Sequence, residues 1–334
     1  KEGRIGFEEC SVFFINKVKD IDKRWNTKNL GYDSSINNKD LENAFVLHWN
    51  GARKPWKNNG LYKEYWDKYS YENNLKEYTP FTTKLKKYMK SPKMNSYKWN
   101  KYVDKVLFKD YAKSKGVDTA EIILGPFDDA NEMKLKDIPK NCVIKVNDRS
   151  GGSVGIKNGK IIFNRSIPIA KGKNIRDVYD KMKTMFNNII KVPYGIDKGE
   201  PWYSYIKPKI FVEELLDPVP LDYKFFVFNG KVKIIQLDAE RFSNHSRTYY
   251  DINWKNTGCA WIYNNIQTDI PKPKNLDEMV KAAESLGEGL EFARVDLYNY
   301  NGKILGGEIT LGPEAGGGHI KPKSCDIMFS NFWN

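Results

Sequence analysis

The chain has 334 residues, of which 40% are hydrophobic and 14% aromatic, with a formal net charge of +13. This is ample material for a packed core and excludes global disorder. No apolar run approaches the roughly 20 residues needed to cross a bilayer, and neither a signal-peptide pattern nor a zinc-type cysteine spacing is present.

The first 70 residues hold dense aromatics and short turns, and the sequence begins at Lys1, which reads as a break inside a longer fusion. Residues 71–100 are rich in Lys, Tyr and Asn and carry Pro80 and Pro92, which suits a connector with a short helix. "YVDKVLFKDYAKSKG" (102–116) follows as one amphipathic helix, with Val103, Val106, Leu107 and Tyr111 on a face and Gly116 as its stop. "CVIKV" (142–146) is a short buried strand, and 155–164 form a hairpin around Asn158-Gly159. A helix over 175–190 precedes a second buried strand, "KIFVEELL" (209–216), and a hairpin over 222–238 turned at Asn229-Gly230. Asn275 is the expected cap of a helix over 276–287, with Glu278 in capping-box position. A third hairpin occupies 292–312. Most strand pairs are hairpins, so the pattern predicts an α+β fold with largely antiparallel sheets, not a doubly wound parallel one.

The lysines behind the net charge are dispersed and interrupted by acids, so they read as a solvated surface; no nucleic-acid partner is expected, and an anionic ligand fits. The four cysteines (10, 142, 259, 325) are far apart, which argues against a disulfide framework and for a reducing cytoplasm. Charges inside apolar strands are costly unless paired, so they mark candidate sites. In the third hairpin Arg294, Asp296, Glu308 and Thr310 share one parity. A two-residue loop at Asn301-Gly302 would set Asp296 opposite Gly307; a three-residue loop with a bulge would pair it with Glu308. Opposed carboxylates call for a cation, and magnesium, with its preference for oxygen ligands, suits them; an Arg–Asp structural pair beside a solvated Glu is the alternative. Lys145, on a buried strand, runs into Ser150-Gly151-Gly152, whose backbone N–H groups can approach a phosphate together with the ammonium. A lysine with its stem buried and its head in water is the competing reading there.

Taken in order, "DK" (104–105), "IPKNCVIKVNDRSGG" (138–152), "YIKPKIFVEELL" (205–216), "DYKFFVFNGK" (222–231), "DAERF" (238–242), "YYDINW" (249–254) and "FARVDLYNYNGKILGGEITLGP" (292–313) resemble the ATP-grasp superfamily, in its TupA-like branch, over residues 77–334. The resemblance implies ATP and Mg2+ held between two α+β subdomains. Lys105, Lys145, Ser150, Gly151 and Gly152 would meet the phosphates, and Glu213, Glu214 and Leu215 the adenine and ribose. Asp296, Glu308 and Thr310 would hold the metal, with Thr310 standing where the wider superfamily has Asn. Lys145, Arg241 and Arg294 would carry the catalysis. Asp148-Arg149 stand where the branch more often has His-Gly, which leaves open whether Arg149 joins the phosphate grip. The implied reaction joins a small-molecule or glycan carboxylate to an amine, such as an amino acid, through an acyl phosphate. The expected setting is cytoplasmic cell-surface polysaccharide synthesis, with room for peripheral association with membrane machinery.

Residues 1–76 form a separate segment with its linker. "KRWNTKNLGY" (23–32) and H-x-x-G-x-x-K-P-W (48–56) resemble the C-terminal end of family-8, glycogenin-like glycosyltransferases. That resemblance implies His48 as a metal ligand and Gly51 and Lys54 as diphosphate contacts. The sugar-nucleotide half is not present, so sugar transfer by this chain alone is not expected; glycosyl transfer by an intact protein and a non-catalytic polyanion-binding module are the alternative functions.

Overall fold

The computed structural model describes residues 27–55, 57–69, 78–239, 246–265 and 270–333. It divides into two compact units, Lys1–Tyr78 and Thr79–Asn334. In the first, Leu30, Leu41, Trp49 and Tyr65 form a small core. Trp49 donates from Nε1 to the Leu61 carbonyl at 2.9 Å and meets Trp66 edge to face.

The second unit contains thirteen strands among the described residues: β1 (Asp118–Thr119), β2 (Ile122–Phe127), β3 (Cys142–Val146), β4 (Ser153–Lys157), β5 (Lys160–Arg165), β6 (Ile210–Glu214), β7 (Asp222–Phe228), β8 (Lys231–Ala239), β9 (Ser246–Tyr250), β10 (Ala260–Trp261), β11 (Phe292–Tyr300), β12 (Lys303–Thr310) and β13 (Ile320–Lys321). Two sheets carry the architecture. One has the order β2-β6-β3-β4-β5 and is antiparallel throughout; the other, β1-β12-β11-β7-β8-β9, is antiparallel except for β1 beside β12. All three expected hairpins form. Each turns on an Asn-Gly pair with both residues at positive φ (51° and 73°, 47° and 74°, 52° and 80°), the conformation a two-residue I′ turn requires.

Each sheet has its own core. Ile144, Ile156 and Val212 of the five-stranded sheet pack with Met182 and Phe186 of the helix Ile175–Ile190. Under the six-stranded sheet Phe81 meets Phe228, Trp261, Phe292 and Phe329 edge to face, at centroid distances of 5.5–6.0 Å. Such contacts add about 0.5–1.5 kcal/mol each to area burial.

Four expectations need correction. The helix expected over 102–116 is two pieces, Asn100–Val103 and Leu107–Ser114. Asp104 is extended, and its Oδ1 accepts from the N–H groups of Val106 and Leu107 (2.8 and 3.3 Å), so it starts a new helix with a new phase. Phe108 therefore points inward and Leu107 is 42% exposed. The helix Leu276–Leu286 begins at Asn275, but that side chain makes no cap; it bonds Asn299 and the Gly302 carbonyl of the β11–β12 hairpin instead.

The β11–β12 register is the third. The turn has two residues, with Tyr300 opposite Lys303, yet Asp296 still pairs with Glu308. The extra residue is absorbed further along, as a bulge at Gly307. A Cβ there would lie 3.1 Å from both the Asp296 carbonyl oxygen and the Tyr298 ring.

Finally, Cys259 and Cys325 form a disulfide across 66 residues. Pairing of β10 with β13 brings the segment before Ala260 beside the helix Lys323–Asn331, a proximity that spacing along the chain does not reveal. The cysteine argument for a reducing compartment falls with it. Cys142 is a buried free thiol, pushed up to about 12 by burial. Among the described residues, no helix is long and apolar enough to cross a membrane.

Candidate active site

A cleft of about 590 Å³ in the second unit is lined by residues of both sheets. On the five-stranded side Lys145 stands opposite Phe211 in the β3–β6 register, so it shares a face with Glu213 on the diagonal. Lys145 Nζ pairs closely with Glu213 Oε1, while Lys109 Nζ lies 2.9 Å from Oε2 and also donates to the Ala120 carbonyl. Burial opposes ionisation of Glu213, but Lys145 and Lys109 outweigh it and hold the carboxyl below its ordinary pKa. Glu213 is thus a clamp that orients two ammonium groups. Glu214 points away, as strand alternation demands, and accepts from the Glu121 N–H; neither it nor Leu215 lines the cleft.

The glycine loop between β3 and β4 contributes Ser150, Gly151 and, from the start of β4, Ser153 to the lining. Gly151 and Gly152 both take left-handed φ (85° and 60°). A Cβ on Gly151 would come within 2.5 Å of Ser166 Oγ, so the close approach of the two loops requires glycine. Gly152 is turned inward, and its carbonyl accepts from the Val146 N–H.

The side chain of Arg149 stays out of the cleft. Nε and Nη2 donate to Asp148 Oδ1 and Oδ2 at 2.7 and 2.8 Å, Nη2 also donates to the Val192 carbonyl, and the guanidinium stacks over Tyr194. The backbone carbonyl of Arg149 is what serves the site: it accepts from Lys105 Nζ at 2.8 Å. Lys105 occupies the helix break that Asp104 creates, and its N–H donates to the Asn147 carbonyl.

On the six-stranded side, register aligns Lys224 of β7, Asp296 of β11 and Glu308 of β12 in one row. Lys224 is buried and pairs with Asp222 and Asp296. Arg294 clasps Asp296 with two bonds of 2.7 and 2.8 Å and donates to Thr310 Oγ1, which in turn donates to Glu308 Oε1. Burial raises the pKa of Asp296 against the pull of Arg294 and Lys224. Glu308 is 40% exposed at the mouth and faces Lys105 at 3.8 Å and Arg294 at 3.6 Å. Although burial opposes its ionisation, Lys105, Arg294 and Lys224 bring its pKa down to about 2. Both Asp296 oxygens are engaged by Arg294 and Lys224, the Arg–Asp pair beside a solvated Glu of the alternative reading. Glu308 with the Thr310 hydroxyl supplies the oxygen donors left open to a hard cation. Among the described residues no group of three or more His, Cys, Asp or Glu side chains is placed to hold a metal ion.

The far end of the cleft holds Arg247, bonded to Asp238 and Glu314 at 2.7 Å each and stacked over Tyr263. Sequence reasoning missed Lys224, Lys109, Glu200 and Arg247. Lys224 carries the signal that flagged Lys145, a charge inside an apolar strand; Lys109 stands on the helix Leu107–Ser114, Arg247 on β9 and Glu200 in a loop, where no local pattern marks them. Arg241 lies outside the described residues. In the first unit His48 is exposed, Gly51 has φ 118° against the Tyr32 ring, and Lys54 Nζ donates to the Trp49 carbonyl.

The family described as TupA-like ATP-grasp matches residues 83–332, and glycosyl transferase family 8 matches residues 10–60. In Arabidopsis thaliana, Probable galacturonosyltransferase 4 is 37% identical over 60 residues, and Probable galacturonosyltransferase 9 is 38% identical over 60. Each alignment covers 17% of this chain and 10% or 11% of the relative, so the chain spans about a tenth of the length of these curated relatives. Among solved structures, D-alanine--D-alanine ligase from Bacillus anthracis complexed with ATP is similar at 17% identity and TM-score 0.34, over 63% of this chain and 53% of that one. L-amino acid ligase from Bacillus licheniformis is similar at 12% identity and TM-score 0.39, over 65% and 44%.

Proposed function

The chain belongs to the TupA-like ATP-grasp family, and on that premise we propose that its cleft performs ATP-dependent joining of a carboxylate to an amine. The observation that carries the reading is the position of Lys105. Its ammonium touches the glycine loop through the Arg149 carbonyl at 2.8 Å and faces Glu308 at 3.8 Å, so one cation links a phosphate-cradling loop to the facing carboxylates.

Phosphoryl transfer asks for positioning and charge neutralisation more than for a protein nucleophile. Lys145, Lys109 and Lys105 would hold the phosphates of ATP, with Glu213 fixing the first two. Arg294 and Lys224 would neutralise the phosphoryl group as it passes to the substrate carboxylate. Asp296 and Glu308, with Thr310 beside them, would hold Mg2+, whose role is to neutralise phosphate oxygens. The acyl phosphate then yields to an amine and leaves an amide.

The family-8 similarity of residues 10–60 supports an acid that belongs to a glycan or its precursor, such as a uronic acid, and an amino acid as the amine. We place this reaction in cell-surface polysaccharide synthesis on the cytoplasmic side, where ATP is supplied. ADP release with magnesium across a panel of uronic acids and amino acids tests the reading. Turnover should require both an acid and an amine and vanish in Glu308→Gln and Lys145→Ala; turnover that survives both changes, or failure to bind ATP, refutes it.

A further inference from the structure

Glu200 differs from the other buried acids of the cleft. Glu213, Asp222, Asp238 and Asp296 each face a lysine or arginine at ion-pair distance. Glu200 is only 7% exposed and lines the same cleft, yet among the described residues no hydrogen bond or ion pair engages its carboxylate. Its place is fixed by the backbone. Gly195 and Gly199 take left-handed φ of 92° and 72°, and the Glu200 N–H closes the turn on the Gly195 carbonyl at 2.7 Å. The 3-10 turn Pro201–Tyr205 follows at once, anchored by the buried Trp202.

An ionised carboxylate without a partner is costly to bury. A fold that holds one rigidly inside a reaction cleft leaves it for a cation or a proton brought by the ligand. Of the two substrates, the acid would be repelled by Glu200 and the ammonium form of the amine attracted. Resting on the ligase reading above, we propose that Glu200 receives the amine substrate and acts as its general base. Glu200 first takes one proton from the bound ammonium, which frees the nitrogen lone pair. As that lone pair forms the C–N bond, the bond from the carbonyl carbon to the phosphate oxygen breaks; its electrons leave with inorganic phosphate, which takes the second nitrogen proton.

The surroundings suit the task. Burial raises the carboxyl to about 7; Glu308 and Asp197 add to the rise, while Lys198 and Lys105 oppose it. A group balanced near neutrality both accepts and releases a proton. Tyr203, on the same turn, is kept protonated far above its ordinary range by burial and then by Glu200.

Hydroxylamine separates this step from the first. It is largely unprotonated at neutral pH and traps acyl phosphates as hydroxamates without a base. With ATP, glucuronate or galacturonate as the acid, and hydroxylamine or amino acids as the nucleophile, Glu200→Gln should form hydroxamate within about threefold of the parent. Amide formation should fall about 100-fold or more, in the range that general-base catalysis contributes. Thermal unfolding at pH 8 should be no lower than the parent's, since the change removes an unpaired buried charge. Glu200→Asp carries the same test if the amide variant folds poorly. Equal loss of hydroxamate and amide in a folded variant, or amide formation that is unchanged, overturns the assignment. No hydroxamate from the parent with any uronic acid overturns the ligase reading, and this inference with it.

Discussion

Arg149 decides whether the glycine loop grips phosphate through a side chain or only through its backbone. The structure makes it half of a buried pair: Asp148 is 2% exposed, Arg149 is 4% exposed, and two charge-assisted bonds of 2.7 and 2.8 Å join them. Arg149→Ala leaves the Asp148 carboxylate buried without its cation and also removes the bond to the Val192 carbonyl. Stranding one member of a buried ion pair costs about 3–5 kcal/mol. The loss should appear in urea unfolding as a lower midpoint with an unchanged slope. Replacing Asp148 and Arg149 together by alanine should recover part of it, since no unpaired charge remains, with a coupling of about 0.5–3 kcal/mol. The Arg149 carbonyl that accepts from Lys105 survives all of these changes, so ATP affinity by titration calorimetry should move less than about threefold, or about 0.6 kcal/mol. A tenfold loss of ATP affinity with an unchanged urea midpoint would refute this reasoning and return Arg149 to the phosphate site.

Two further outcomes follow from the same geometry. Closing a 66-residue loop between Cys259 and Cys325 is worth about 4 kcal/mol by chain entropy, so a reductant should lower the parent's melting temperature and leave Cys325→Ser unmoved; a parent indifferent to reductant argues against the bond. Glu308 has a pKa lowered to about 2 when folded, so its contribution to stability is present above the unfolded carboxylate value and is lost as pH falls from about 4.5 towards 2. Comparison of parent and Glu308→Gln urea midpoints across that window should show the gap closing as pH falls; a constant gap contradicts the assigned environment.

Local patterns were legible along the chain because their causes are local. Asn-Gly pairs between apolar runs place both turn residues at positive φ with little steric cost, and all three hairpins formed where those pairs stand. Buried strands carrying Lys145, Arg294 and Asp296 announced themselves by the cost of a charge in an apolar run. The failures share an opposite cause. Asp104 broke a helix whose apolar spacing looked continuous, because an acid that caps two N–H groups competes with helix propagation, and that break is what carries Lys105 into the cleft. Asn275 gave up its cap because the β11–β12 turn offered it other partners.

By itself the sequence determined the α+β class, the hairpins and the residue types of the cleft, since propensity, turn chemistry and burial cost act over a few residues. Its ordered motifs also marked the ATP-grasp family. Only the tertiary structure decided which charges meet. Register across three strands aligned Lys224, Asp296 and Glu308, with Gly307 absorbing the odd residue. Packing around Val192 and Tyr194 drew Arg149 inward onto Asp148. The turn before Pro201 left Glu200 in the cleft wall with no side-chain partner among the described residues. Ion pairing depends on distances of a few ångströms between residues far apart in the chain, and those distances exist only once the sheets have packed.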